Sequence, residues 1–163
     1  MNSYSSRFRL LGQSMTWRDV RPVALAVVRR GEELLLAEHY DPAEEYTFYR
    51  PIGGGIEFGE RSEEAVVREF REELGVELVD VERVDTYEQV FTFDGEEGHE
   101  VWRLYEGDVA EDWPYERDRF EAEEPELDET FEAVWKDPAA FEAGGDVLYP
   151  STLFDDLTPA GRR

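Results

Sequence analysis

Apolar and polar positions change rhythm several times along the chain. VALAVVR (Val23–Arg29) is an apolar run of strand length and predicts a buried strand. RGEE reads as a turn, and LLLAEH (Leu34–His39) as the strand that returns from it. DPAEE (Asp41–Glu45) reads as a loop, and YTFYRPI (Tyr46–Ile52) as a third strand ahead of the glycine-rich loop GGGIEFGE (Gly53–Glu60). From Ser62 to Leu74 the spacing becomes helical. Two β-rich runs, Val81–Phe93 and His99–Val109, then flank the turn sequence DGEEG. Glu111–Glu129, with ten acids, two arginines, Pro114 and Pro125, reads as a solvated loop or insertion. FEAVW (Phe131–Trp135) predicts a last strand. A short helix near Pro138–Ala143, a Gly144-Gly145 break and a terminal segment Ser151–Leu157 follow. Strands outnumber helices and alternate with them irregularly, which favours a mixed sheet flanked by helices over a parallel α/β arrangement.

The helix is the best-delimited element. Ser62 suits an N-cap, Glu63 and Glu64 suit the positive end of the helix dipole, and Gly75 suits a left-handed C-terminal stop with Val76 folding back on Phe70. Val66, Val67, Phe70 and Leu74 form its apolar stripe. On a helical wheel Glu64, Arg68 and Arg71 fall on the water side. Glu69, Glu72 and Glu73 fall on the flank that adjoins the stripe, pointing into the groove where helix meets sheet. Like charges crowded into a partly desolvated groove raise one another's pKa unless a cation neutralises them. Carboxylate oxygens are hard ligands and favour Mg²⁺, with Mn²⁺ as a substitute.

Charge narrows the classes of partner. The 163 residues carry 17 basic and 41 acidic side chains, a formal net charge of −24. Lys136 is the lone lysine against sixteen arginines, a bias that resembles proteins of salt-loving cytoplasm, where screening relieves self-repulsion. Such a surface repels duplex nucleic acid. Cysteine is absent and no segment reads as a signal peptide or membrane span, so a cytoplasmic protein without membrane attachment is expected. Residues 1–21 read as an N-terminal extension or edge strand, ahead of one domain over 22–163 with the acidic insertion around 111–129.

GGIEFGERSEEAVVREFREELGV (Gly54–Val76) resembles the Nudix box, G-x5-E-x7-R-E-U-x-E-E-x-G-U, at every fixed place: Gly54, Glu60, Arg68, Glu69, Phe70, Glu72, Glu73, Gly75 and Val76. The flanking strands look similar over roughly Pro22–Leu157. The resemblance implies an α/β (α+β) fold, an α/β/α sandwich with a mixed sheet between helices. It implies a MutT-like, Mg²⁺-dependent pyrophosphohydrolase acting on a nucleoside diphosphate linked to another group, whether a nucleoside triphosphate, a nucleotide sugar or a dinucleotide. Water attacks phosphorus in that reaction. Glu69, Glu72 and Glu73, with the Gly53 carbonyl, are then the expected metal ligands, and catalysis is expected to run through Glu69, Glu72, Arg68 and Glu60. Arg68 is expected to orient Glu60 or Glu69.

Arg50 and Gly54 are expected at the substrate. Glu100, Glu129 and Glu132 are candidates for an additional acid outside the box. Tyr46, Phe48, Tyr49, Phe91, Phe93 and Trp102 alternate along strands, so some face away from the core and are available to stack on a nucleobase. His39 and His99 read as surface or hydrogen-bonded histidines rather than ligands. The expected partner is a small nucleotide, with a homodimer left open. The alternative reading is a non-catalytic Nudix-fold nucleotide sensor, against which stands the survival of all three box glutamates together with Arg68 and Glu60.

Overall fold

The computed structural model describes residues 19–125 and 127–157. Most of the expected N-terminal extension, residues 1–18, lies outside the described residues. β1 (Arg21–Arg30) is the centre of the fold. Its apolar run is buried on both faces because Val23, Leu25 and Val27 point to one core and Ala24, Ala26 and Val28 to another. Two-sided burial explains why VALAVV shows no polar alternation.

Two sheets share β1. In the first, β1 lies between β4 (Ile52–Gly55), antiparallel, and β6 (Glu96–Val109), parallel, with β5 (Leu78–Phe93) at the outer edge. In the second, the end of β1 turns into β2 (Glu33–Asp41). β2 in turn lies between β3 (Tyr46–Arg50) and β8 (Glu129–Lys136). β7 (Arg119–Glu124) and the short β9 (Val147–Leu148) complete the edges.

Helix α1 (Ser62–Leu74) covers one face, burying Ala65, Val66, Phe70 and Leu74 against the alanine side of β1. Full burial of a Val, Leu or Phe side chain contributes about 1.5–3 kcal/mol each, which fixes the helix on the sheet despite its polar remainder. The other face is closed by Phe141 of α2 (Ala139–Glu142) and by Leu153 of α3 (Leu153–Asp156) with Leu157. The expected sandwich of helices around a mixed sheet is what forms, with one side thinner than the other.

Several expectations change in detail. YTFYRPI is two strands. Pro51 has no N–H to donate, so the chain breaks there, and Ile52–Gly55 pairs with β1 instead. Gly53–Gly55 therefore belong to a strand rather than a loop. Ser62 is the first helical residue and not the cap. Arg61 precedes the helix, its N–H donates to the Glu64 carboxylate at 2.9 Å, and the Ser62 hydroxyl meets the Tyr105 hydroxyl at 2.5 Å. At the other end Gly75 adopts φ +68° and Val76 N–H reaches back to the Phe70 carbonyl, as its sequence position predicts.

The larger correction concerns Glu111–Glu129, which is not a solvated loop. Trp113–Glu116 forms a 3-10 turn, and β7 pairs along β8. Trp113 packs edge-on against Phe120 at 4.9 Å, Tyr115 stacks on Trp135, and Trp135 Nε1–H donates to the Pro114 carbonyl at 2.9 Å. Phe120 and Ala122 point inward while Glu121 and Glu123 point to water. The acids are the outer face of a strand.

One buried carboxylate ties two turns together. Asp41 Oδ1 accepts N–H bonds from Ala43 at 2.9 Å and Glu44 at 3.3 Å, beside the β2–β3 turn, and from Asp94 at 3.2 Å, at the tip of the β5–β6 hairpin.

Candidate active site

The site is assembled where α1 lies across β4. Arg68 is its organising cation. Nε and Nη2 grip both oxygens of Glu60 at 2.7 and 3.0 Å, Nη1 reaches Glu69 at 3.0 Å and Glu72 at 3.1 Å, and Nη2 also donates to the Gly55 carbonyl at 3.0 Å. The wheel placed Arg68 toward water, but the chain before the helix folds back over it and leaves its side chain 20% exposed. Charge-assisted bonds to Glu60, and then the nearby Glu69 charge, push the guanidinium above its ordinary pKa against the opposing effect of burial. The same bond holds the Glu60 carboxyl below its usual range, helped by the Glu57 N–H at 3.0 Å.

The three box glutamates do not share one environment. Glu69 and Glu73 are buried, 6% and 4% exposed, on the flank of α1 that faces the sheet. Glu72 is more open, with its side chain 42% exposed and leaning on Arg68. Among the described residues no three carboxylate or imidazole groups converge on a single point as they stand. The surroundings nevertheless suit a hard cation. The donors are carboxylate oxygens with strand carbonyls beside them, and the missing Cβ of Gly54 makes room for the Glu69 carboxyl, which a side-chain carbon there would meet at 2.6 Å. Glu60 and the Gly55 carbonyl hold Arg68 independently of Glu72, so Glu72 is able to turn without undoing the clamp.

Beyond the helix, a narrow crevice is lined by Gly53, Glu73, Arg50, His39, Phe131 and Glu124. Arg50 also lines a second, larger cleft of about 160 Å³. Tyr46 and Phe48 of β3, Phe91 and Phe93 of β5, Trp102 of β6 and Tyr149 form its aromatic walls, with Gln89 and Glu100 as polar lining. Arg50 Nε–H donates to His39 Nε2 at 3.3 Å, and its guanidinium lies 5.9 Å from the Trp102 ring centre. Tyr49, the remaining aromatic of β3, faces the opposite core and packs on Phe141.

The three candidate acids outside the box separate. Glu132 shares its strand face with Val134, whereas Phe131, Ala133 and Trp135 face α1, so Glu132 points away from the box. Glu129 is in phase with Phe131, and its β7 partner is Glu124. Glu100 is buried in the aromatic cleft and already engaged, by Trp102 Nε1–H at 2.6 Å and Arg21 at 3.6 Å. Glu124 is a crevice-lining residue that the sequence did not single out, and His39, read there as a surface or hydrogen-bonded histidine, is hydrogen-bonded and lines the crevice too. For Glu124 the usable signal was the alternation in RFEAE, which marks a strand inside the acidic segment.

Known proteins place these features. The profile of the NUDIX domain matches residues 19–151. The NAD-capped RNA hydrolase NudC of Pseudomonas aeruginosa is 41% identical over 63 residues, which is 39% of this chain and 22% of that protein. Its namesake in Vibrio vulnificus is 37% identical over 69 residues, 42% of this chain and 26% of that protein. The chain thus spans about a quarter of the length of these curated relatives. Among solved structures, a MutT Nudix hydrolase from Burkholderia pseudomallei aligns with TM-score 0.58 at 22% identity, over 86% of this chain and all of that one. A Nudix hydrolase from Nitrosomonas europaea aligns with TM-score 0.54 at 19% identity, over 77% of each chain. These likenesses speak for the fold. The profile extends over most of the chain and takes in the whole box, and the chain therefore belongs to the Nudix family.

Proposed function

We propose that the protein hydrolyses the diphosphate bridge of a nucleotide derivative. The observation that carries this reading is the buried Glu69–Glu73 flank of α1, set against glycine backbone and oriented by Arg68. Glu69, Glu72 and Glu73, with the Gly53 carbonyl, would hold Mg²⁺, or Mn²⁺ in its place. Such a cation neutralises phosphate oxygens, polarises phosphorus and lowers the pKa of the attacking water.

The chain's own groups do the rest. Arg68 fixes the rotamer of Glu69 while itself clamped by Glu60, and Glu72 would turn from Arg68 to join it at the metal. Arg50 offers positive charge between the crevice and the aromatic cleft, where a diphosphate lies when its nucleobase stacks in the cleft. Gly54 keeps the strand backbone open at this point. Water adds to one phosphorus, the bridging P–O bond breaks, and the water's proton passes to a carboxylate. Glu69, Glu72, Glu124 and Glu129 are the candidates to receive it.

The charge of −24 argues against duplex nucleic acid as substrate and for a small anionic ligand met at a local cation. Nucleoside triphosphates, nucleotide sugars and dinucleotides are the substrate classes, and the NudC relatives add NAD-capped RNA to the compounds worth trying. The test is product release from that panel in molar salt, with and without Mg²⁺ or Mn²⁺. Turnover of at least one compound only with metal is expected. A folded protein that binds nucleotide and cleaves none would instead be the sensor.

A further inference from the structure

Arg50 is 7% exposed, yet no ion pair to it occurs among the described residues of a chain with 41 acids. Arg21, Arg29, Arg30, Arg68, Arg71, Arg119 and Lys136 all have a carboxylate within 4 Å. Arg50 has an imidazole nitrogen and an indole face instead. Glu100, the acid in the same cleft, is taken by Arg21 and Trp102, and Glu73 and Glu124, which line the crevice with Arg50, form no ion pair with it. A buried guanidinium without a counter-ion is costly, and the cost is relieved when an anion arrives.

We infer that His39 is a positioning residue that orients Arg50 for a substrate phosphate without neutralising it. This rests on the hydrolase reading above only in assigning phosphate to Arg50. A carboxylate at the place of His39 would orient the guanidinium equally well, but it would cancel the charge and compete with phosphate for its N–H groups. Neutral imidazole accepts one hydrogen bond through Nε2, with its proton on Nδ1, and leaves the charge whole. The ring cannot drift. It stacks between Phe48, at 5.3 Å and 25°, and Phe131, at 6.0 Å and 23°. β2 and β3 place His39 directly opposite Phe48 in register, so the sheet itself sets the distance to Arg50 two residues on. One guanidinium N–H is thus spent on orientation, on a residue that lines both the crevice and the cleft.

The experiment is calorimetric binding of ADP in the absence of metal, with kcat and KM for whichever substrate the wild type cleaves. His39→Phe keeps the stack and removes the acceptor; it should weaken ADP binding about tenfold, the effect of losing a charged hydrogen bond, and raise KM more than it lowers kcat. His39→Gln restores an acceptor and should recover most of the loss. His39→Glu supplies an anionic partner and should bind ADP worse than His39→Gln. Adding His39→Phe to Arg50→Ala should cost nothing further. Wild-type affinity in His39→Phe, an equal loss in the Arg50→Ala background, or full binding by His39→Glu overturns the inference, as does a wild type that binds no ADP. Because binding is read without turnover, an inactive wild type that binds ADP sinks the hydrolase reading and leaves this one standing.

Discussion

Gly53 and Gly54 are neighbours in one strand, and alanine at each should fail in a different way. At Gly54 an added Cβ meets first the carboxyl of Glu69, at 2.6 Å to Cδ and Oε1 and 2.8 Å to Oε2, about 0.8 Å short of an ordinary 3.4 Å contact. The backbone there needs no glycine conformation, and a glutamate's terminal torsion is soft, so the carboxylate gives way. The stability cost is that of loosening one largely buried hydrogen-bonded pair with Arg68, about 1.5 kcal/mol. Displacing a proposed metal ligand by nearly 1 Å is a different matter for catalysis, where such errors reach about 100-fold. At Gly53 the new Cβ would lie 2.1 Å from the Ala24 carbonyl oxygen and 2.8 Å from Leu25 Cα, at φ +152°. β1 is packed on both faces and cannot retreat, so Gly53→Ala should lose about 3 kcal/mol or more. Urea midpoints and Mg²⁺-dependent initial rates, measured for both variants, decide the matter. A folded Gly54→Ala with wild-type rates would refute the role of Glu69, and a Gly53→Ala as stable as wild type would refute the β1–β4 pairing.

Three other outcomes are expected. Glu72→Gln should change the metal-free unfolding midpoint by no more than about 0.5 kcal/mol, since its half-exposed pair with Arg68 is worth little, yet reduce turnover by orders of magnitude; parallel losses of both would mean the glutamate is structural. Glu60 has a depressed pKa in the fold, so its stabilising contribution is full above the unfolded carboxylate pKa and is lost as pH falls through the lower, folded one; Glu60→Gln should flatten that acid limb in thermal midpoints taken from neutral to acid pH. Molar KCl should raise the thermal midpoint by screening the net charge of −24, and a flat or falling midpoint would dismiss the salt-adaptation reading.

What was legible from sequence was whatever local spacing determines. The limits of α1, its left-handed stop at Gly75 and the apolar continuity of β1 follow from the residues themselves. The misreadings arise where a distant element decides. A helical wheel leaves Arg68 in water, and its pairing with Glu60 and Glu69 was expected only from the resemblance of the box. The acids of β7 hide a strand because Phe120 and Ala122 find their partners in Trp113 and the α1 core. Glu132 looked equivalent to Glu129 until the phase of β8 against α1 was known. Arg50 was visible as a cation near the glycines, but its partner His39 lies on another strand and emerges only from the β2–β3 register.

The Asp41 clasp has a mechanical meaning. The aromatic cleft has one wall on β3 and the other on the β5–β6 hairpin, and these walls belong to different sheets. Asp41 binds the turn before β3 and the tip of that hairpin through a single oxygen, so it acts as the pin that sets how wide the two walls stand. It lines neither the cleft nor the crevice. The width of the cleft is thereby governed by a residue outside its walls, and if a nucleobase stacks there as proposed, a change at Asp41 would alter its fit while every wall residue stays as it is.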